Sequence, residues 1–517
     1  MGYVIIDVSN EKLLVESEKG GFILSLLDVV EKSTLKYLEM FTKSDRKKYG
    51  QFFTSKETAK FMAEMFTIPE DREEISILDP GAGSGMLSVA LIERLQKCVG
   101  VKKVNLVCYE TDNNVIPLLE SNIRYLARNT TIPLNYKVSR DNYITSQENG
   151  YNFFSCALDK GSYDLIIANP PYVKIGKSAP EALAMPDVCY GAPNLYFLFM
   201  AMSLYNLKED GEMVYIIPRS WTSGAYFKKF RDKLLNHSII EHLHLFVRRD
   251  KVFEKENVLQ ETMIVKLKKK MLEPKYVTVT TSVSNSDFSN KSTFYAPYNT
   301  VVNKDDSFVY LITSAEEAGV LEKLNRWKNN LPSLGLKMKT GLTVDFRNRE
   351  LLRNDECEET VPLFYAQHIK DGRVKFPVGK ENEYIACDKG GLLQENTNYL
   401  FVKRFSSKEE SRRLQCGIYL AKHFRAYERI STQNKINFIC GLKELSECVV
   451  YGLYVLFNST IYDRYYRILN GSTQVNSTEV NSMPVPPMNI IEKMGQELMH
   501  LKDMSVNSCD EILRSYI

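Results

Sequence analysis

"ISILDPGAGSGMLSVALIERL", residues 75–95, is a strand, a glycine-rich turn and a helix in sequence. The apolar run Ile75 to Leu78 ends at Asp79, and apolar residues recur at three and four after Gly85. Between them Gly81, Ala82, Gly83 and Gly85 let the backbone turn tightly and approach a ligand closely. Three kinds of site use such a turn: a phosphate loop, a dinucleotide fingerprint and an S-adenosylmethionine site. Met86 follows Gly85 where a phosphate loop needs Lys and then Ser or Thr. The spacing G-x-G-x-G, with an acidic residue before the first glycine, also departs from the dinucleotide pattern. Downstream, "VNLVCYETD" (104–112) reads as a second strand whose end carries Glu110, an acceptor suited to ribose hydroxyls. Together these residues favour an adenosine-containing ligand without a pyrophosphate.

Outward from this unit, strands alternate with helical segments from about residue 49 to 270. Strands are expected at Ile75–Leu78, Val104–Tyr109, Leu165–Ala168, Met213–Ile217, Glu241–Val247 and Thr262–Leu267. That alternation predicts an α/β fold with a doubly wound, mostly parallel sheet. "KLKKKM" (266–271) reads as a solvated charged end. After about residue 275 short strands and turns dominate, with one helix-like stretch in "LAKHFRAYERI" (420–430). The expected parts are an N-terminal helical extension (1–48, with periodic "FILSLLDVVEKSTLKYLEMF" at 22–41), a domain over 49–290 and a mixed α+β domain over 291–517.

The bulk properties narrow the function. Of 517 residues 44% are hydrophobic, and the net charge is only +3, so an acidic partner must meet a local basic patch. Ten scattered cysteines without a C-x-x-C pair, and six histidines without ligand spacing, argue for reduced thiols and no metal site. His242 and His244 alternate with leucines in "EHLHLF" and belong to a strand. The N-terminus does not read as a signal peptide and no segment approaches a membrane span, so a cytoplasmic protein is expected.

"YDLIIANPPYVKI" (163–175) then supplies chemistry. The strand stops at Pro170 and Pro171, displaying Asn169 and Tyr172 in the same crevice as the glycine-rich turn. An exocyclic base nitrogen is a poor nucleophile, because its lone pair is delocalised into the ring. Two acceptors on its two N–H bonds pull it towards tetrahedral geometry. Asn169 Oδ1 supplies one and the Pro170 carbonyl, held by a fixed φ, the other. Tyr172 offers a stacking ring. A base inside a duplex reaches such a corner only when flipped out.

Asp79-Pro-Gly-Ala-Gly-Ser-Gly85, Glu110 and Asn169-Pro-Pro-Tyr172, with "GQFFTS" (50–55) upstream, resemble the N6-adenine DNA methyltransferases of type II restriction–modification systems. Their order is similar to the gamma (TaqI-like) class, and the resemblance continues in 211–235 and 468–487. It implies a cofactor, S-adenosylmethionine, and a double-stranded DNA substrate, with a separate restriction endonuclease as functional partner. It makes 49–290 the catalytic domain and 291–517 the target-recognition domain. By resemblance Thr54, which with Glu57 also reads as the capping box of a helix, caps the methionine moiety. Asp79, Gly81, Ala82, Gly83, Gly85 and Asn169 line the cofactor, Glu110 takes its ribose, and Phe227 faces Tyr172 across the flipped adenine. The family usually has Asp followed directly by Phe after the third strand. Here "SRDNYIT" (139–145) inserts Asn142 between Asp141 and Tyr143, so Asp141, the preferred residue, or Asn142 reads the cofactor adenine. The same NPPY tetrapeptide resembles methyltransferases acting on protein glutamine or on guanine N2 of RNA, which lack a large C-terminal domain. Cytosine-N4 enzymes usually carry Ser or Asp at the Asn169 position. A catalytically inactive DNA-binding protein of the same fold is a further alternative, and the intact motifs argue against it.

The second half has no catalytic signature, and "MPDVCYGAPN" (185–194) supplies no nuclease set. Between Phe401 and Lys435 nine Lys/Arg stand against three Glu, interleaved with Phe405, Tyr419, Phe424 and Tyr427, a composition suited to phosphates and bases. Lys403, Arg404, Arg412 and Arg413 are the candidates there. "RYYRILNGSTQVN" (464–476) adds Arg464, Arg467, Asn470 and Gln474, types that read base edges.

Overall fold

A computed structural model describes residues 25–40, 53–154, 161–246, 262–270, 272–285, 288–303, 307–387, 390–406, 410–469 and 474–517. They form two compact units, one holding the described residues up to Trp221 together with Tyr226–Val301, the other Thr222–Ala225 and the described residues from Val302 on.

The first unit is built on nine strands: β1 Glu74–Asp79, β2 Lys103–Tyr109, β3 Leu134–Ser139, β4 Tyr163–Ala168, β5 Leu207–Pro218, β6 Ile239–Phe246, β7 Thr262–Lys268, β8 Tyr276–Ser282 and β9 Ser292–Pro297. Their order is β3-β2-β1-β4-β5-β7-β6-β8-β9. Pairs from β3 to β5 are all parallel, while β7 runs antiparallel between β5 and β6. The chain leaves β1 in one direction to β2 and β3 and in the other to β4 and β5. The carboxyl ends of β1 and β4 are therefore a topological switch point, the place where open α/β sheets bind ligands.

Alternation along the central strands builds two buried faces. Ile75 and Ile77 of β1, Leu165 and Ile167 of β4, and Val214 and Ile216 of β5 join one apolar core. Helices α1 (Leu26–Glu39), α2 (Lys56–Glu64), α3 (Met86–Leu95) and α4 (Ile116–Asn129) pack into that core through Val30, Met62, Val89 and Ile123. On the other face Tyr215 reaches the helix Leu195–Asn206 through Ser203 Oγ and Phe199 O.

Three expectations need correction. The short strands β8 and β9 belong to the first sheet, which carries it past position 290. The charged run that closes β7 is not solvated at Lys266 and Lys269, which are 4% and 7% exposed. Lys266 Nζ lies 3.0 Å from Glu212 Oε2 and 2.9 Å from Glu241 Oε2, and donates to Thr67 Oγ1 at 2.8 Å. Three adjacent strands thus share one buried charge cluster, and Lys269 Nζ donates to Leu207 O. His242 and His244 sit in β6 as expected, bonded to Thr280 and Ser282 of β8. Burial depresses them to about 4 and about 3, so both are neutral in the fold.

The second unit carries a six-stranded and a five-stranded sheet. Its helices Glu447–Asn458 and Met488–Leu501 touch backbone to backbone at Gly452 and Gly495, where an added Cβ would lie 1.8 Å from Ile491 O or Cys448 O. The third correction falls here. Residues 420–430 are not a helix but a short 3₁₀ turn, Ala421–His423, followed by a strand that begins at Arg429. Phe424 is spent on stacking against Tyr419 at 4.8 Å, which favours the extended path. Among the described residues no helix is long and apolar enough to cross a membrane.

Lys266→Met should destabilise the first unit by about 3–5 kcal/mol, because it leaves Glu212 buried without its counter-charge. Chemical denaturation measures this, and adding Glu212→Gln should recover part of the loss.

Candidate active site

The glycine-rich turn closes through backbone bonds of its own. Ala82 N donates to Tyr109 O and Gly85 N to Ala82 O, and Gly85 starts α3 with φ +83°. An added Cβ at Gly85 would stand 3.1 Å from Leu119 and Ile123, so this glycine is required by packing as well as conformation. Gly83 has φ +54° and lies under the Phe53 ring; Gly81 faces the backbone of Asn169 and Pro170. Asp79 is fully buried and accepts from Ser88 Oγ at 2.7 Å. Burial pushes its carboxyl up to about 7, so it braces the turn from beneath.

Glu110, at the end of β2, holds one carboxylate oxygen on Gly83 N at 3.0 Å and the other on the amides of Thr111 and Asp112. Burial raises its pKa, against the lowering effect of those donors. Turn and carboxylate are therefore one rigid piece. After β3, Asn142 is occupied, its Oδ1 accepting from Ile144 and Thr145 N and its Nδ2 donating to Glu181. Asp141 is exposed and accepts from Ser139 Oγ. This leaves the Asp141 carboxylate as the one able to turn outward.

The helix cap expected at Thr54 stands one residue later. Ser55, extended at φ −66° and ψ 156°, is the N-cap of α2 and accepts from Thr58 N. Thr54, one step earlier, is released from the helix and its Oγ1 accepts from Asn169 Nδ2 at 3.1 Å. Gly50 to Phe52 of the same motif lie outside the described residues. With the amide nitrogen held by Thr54, Asn169 Oδ1 takes the opposite side, 3.0 Å from the Tyr172 hydroxyl. That hydroxyl also lies 2.9 Å from Ile216 O. Burial and the neighbouring Tyr196 hold its proton at all ordinary pH. Pro170 is buried and Pro171 half-buried.

Tyr172 and Phe227 belong to one aromatic cluster. Both flank Tyr196, with ring centres at 6.2 and 6.3 Å, and Phe227 also packs edge-on to Phe197 and Tyr226. Sequence reasoning missed Tyr196, Phe197 and Phe199, which sit on a helix so apolar throughout that they read as ordinary core. It also missed Phe53 and Tyr37. Phe53 covers Gly83 and meets Tyr37 of α1 edge-on at 6.0 Å. Burial, Asp112 and Glu110 push the Tyr37 phenol to about 12. Helix α1 is tied to the turn itself, through Ser33 Oγ to Asn122 Oδ1 and Asn122 Nδ2 to Ser84 O, each at 2.8 Å.

Residues 92–253 match the family described as Eco57I restriction-modification methylase. Type II methyltransferase M.BsuBI of Bacillus subtilis is 34% identical over 483 residues, which cover 91% of this chain and 94% of that protein. The chain belongs to the Type II restriction–modification methyltransferases. M.PstI of Providencia stuartii is 31% identical over 481 residues, covering 90% of this chain and 92% of its own. Among solved structures, the Type IIL restriction-modification enzyme MmeI, solved in complex with DNA, covers 95% of this chain and 74% of its own. Its TM-score is 0.52 at 12% identity, a likeness of fold.

For this Type II methyltransferase the structure redistributes the basic residues expected on DNA. Arg413 is fully buried, with Nε on Ser406 Oγ and its guanidinium 5.7 Å from the Tyr466 ring centre, and it cannot serve a phosphate from there. Arg412 gives its guanidinium to Phe457 O and Ser459 O, at the end of the helix Glu447–Asn458 where carbonyls lack intrahelical partners. Arg467 pairs with Asp463, Arg464 with Glu316, and Lys403 with Gln415. Arg404 bonds Asn434 O and Gln474 Oε1. Asn470 lies outside the described residues.

Arg412→Ala should lower unfolding stability by about 1–2 kcal/mol through lost helix-end bonds. It should leave the salt dependence of duplex DNA binding unchanged. A slope of log Kd against log salt that falls by about one would return Arg412 to the phosphates.

Proposed function

We propose that this restriction–modification methyltransferase transfers a methyl group from S-adenosylmethionine to adenine N6 in duplex DNA, with the target base flipped out, and so protects DNA from a separate restriction endonuclease. The observation that carries the reading is the orientation of Asn169 at the switch point, its nitrogen on Thr54 and its oxygen beside Tyr172.

The residues present suit the cofactor. Gly81 and Gly83 leave a shallow cradle that a side chain would fill, and Ser84 keeps a buried hydroxyl in the turn without a hydrogen-bond partner. Glu110 would take the ribose hydroxyls, Asp141 the adenine amino group, and Thr54 and Phe53 would bound the methionine end. When bound, the cofactor supplies an electrophilic methyl on a sulfonium.

The chain's part is positioning. An amide oxygen carries two lone pairs, so Asn169 Oδ1 can accept from Tyr172 and from a substrate N–H together. The Pro170 carbonyl would take the second N–H. Held on two acceptors, the amino nitrogen turns its lone pair towards the methyl group. A weakly basic amide suffices, because orientation and polarisation supply most of the rate. Tyr172, and Phe227 beyond Tyr196, would bound the base by stacking. Asn169 is the residue type that the adenine reading needs, and the order of the motifs along the chain supports the gamma class.

Asn169→Ala should keep cofactor binding by calorimetry and DNA binding by gel shift, yet lose turnover by about 10²–10³-fold. The assay is label transfer from S-adenosylmethionine to unmethylated plasmid, followed by nucleoside analysis. N6-methyladenine made by the native chain and lost in the variant supports the reading. Unchanged turnover in the variant, or label in another nucleoside, overturns it.

A further inference from the structure

In the second unit four separated segments meet on a frame of hydrogen bonds. Asn434 N donates to Thr343 O, Arg404 N to Lys435 O, and Val475 N to Arg404 O. Arg404 Nη1 reaches Asn434 O, and Nη2 reaches Gln474 Oε1. Gln433, 1% exposed, donates to Asp345 Oδ2 and accepts from Lys435 N. Thr343 and Ser431, both fully buried, bond to each other through their hydroxyls. An added Cβ at Gly341 would lie 2.2 Å from Gln433 O, so the two loops cross backbone to backbone. Buried polar groups satisfied in this way fix loop geometry more strictly than apolar packing does.

Two aromatic rings stand out from the frame. Phe346 is 62% exposed and Phe405 is 46% exposed. Each has a guanidinium beside it, Arg347 at 5.6 Å from the Phe346 ring centre and Arg404 at 5.7 Å from that of Phe405. Arg347 and Arg349 of the Phe346 loop, and Lys435, whose carbonyl accepts from Arg404 N, are exposed. Asp345, before Phe346, is held by Gln433 and by Phe346 N, and Glu350 is exposed after Arg349. A single exposed phenylalanine is ordinary on a protein surface. Two on one rigid frame, each against an arginine, suit a polyanion that also offers flat faces.

We infer that the loop Asp345–Arg349, together with Arg404, Phe405 and Lys435, is the edge of the second unit that contacts DNA. Arg347 and Lys435 meet phosphates. Phe346 and Phe405 press against bases or sugars. This rests on the reading of the protein as a methyltransferase of duplex DNA. It adds the loop Asp345–Arg349, which lies outside both basic stretches, to Arg404, Phe405 and Lys435 of the first of them.

The experiment compares native protein with Phe346→Ala, Phe405→Ala and Arg347→Gln. Label transfer from S-adenosylmethionine to unmethylated plasmid is followed over a range of DNA and salt concentrations, with thermal unfolding as a control. All three side chains lie at the surface, so the melting temperature should hold. Each Phe→Ala should raise the KM for DNA by roughly tenfold, the scale of a lost stacking contact, with kcat at saturation within a factor of two or so. Arg347→Gln should flatten the slope of log affinity against log salt by about one. Native KM and slope in all three variants, with native activity intact, would overturn this inference alone. Native protein that labels no DNA would overturn it together with the proposed function.

Discussion

The bond from Asn169 Nδ2 to Thr54 Oγ1 is the constraint on which the rest of the site depends. A primary amide is nearly symmetric in shape, and only its partners decide which end is the acceptor. Thr54 occupies the nitrogen, so the oxygen faces Tyr172 and the aromatic cluster. The bond also joins segments far apart in sequence. Thr54 sits just before α2, and Asn169 just after β4. Between them the glycine-rich turn follows β1 at the same edge of the sheet, with Gly81 against the Asn169 backbone. Parallel strands that reverse order between β1 and β4 make this meeting possible. Nothing in the local sequence of either residue would bring them together.

Much of the first unit was legible because buried parallel strands are apolar runs punctuated by glycine or proline. Ile75–Leu78 and Leu165–Ala168 were found within a residue or two at each end. Leu134–Ser139 was missing from the expected strands because this edge strand, with Tyr136 exposed, has no apolar run. The cap of α2 was misplaced by one position because Thr54 and Ser55 are equally good caps by type. Only backbone torsions distinguish them, and the one-residue shift frees the hydroxyl that orients Asn169. Lys266 misled for another reason. Charge reads as solvent exposure unless its partners are known, and Glu212 and Glu241 come from two other strands.

The basic stretch of the second unit shows the limit of composition most plainly. Nine cations between Phe401 and Lys435 suggested one patch, yet Arg413 is buried and Arg412 closes a helix end. Arginine is as well suited to satisfying internal carbonyls as to binding phosphate. The exposed Arg347, with Phe346, lies instead on a loop with no local excess of charge. In the first unit rigidity comes from a large apolar core with a small polar corner. In the loop frame of the second it comes from buried Thr343, Ser431 and Gln433.

The most direct test is a crystal structure with a non-reactive S-adenosylmethionine analogue and a duplex carrying the unmethylated target site. The account predicts an extrahelical adenine with its amino nitrogen within about 2.7–3.2 Å of both Asn169 Oδ1 and Pro170 O. Its ring should lie over Tyr172, with the analogue along Gly81 to Gly85. A target base whose amino group lies away from Asn169, or an analogue bound elsewhere in the sheet, would contradict it.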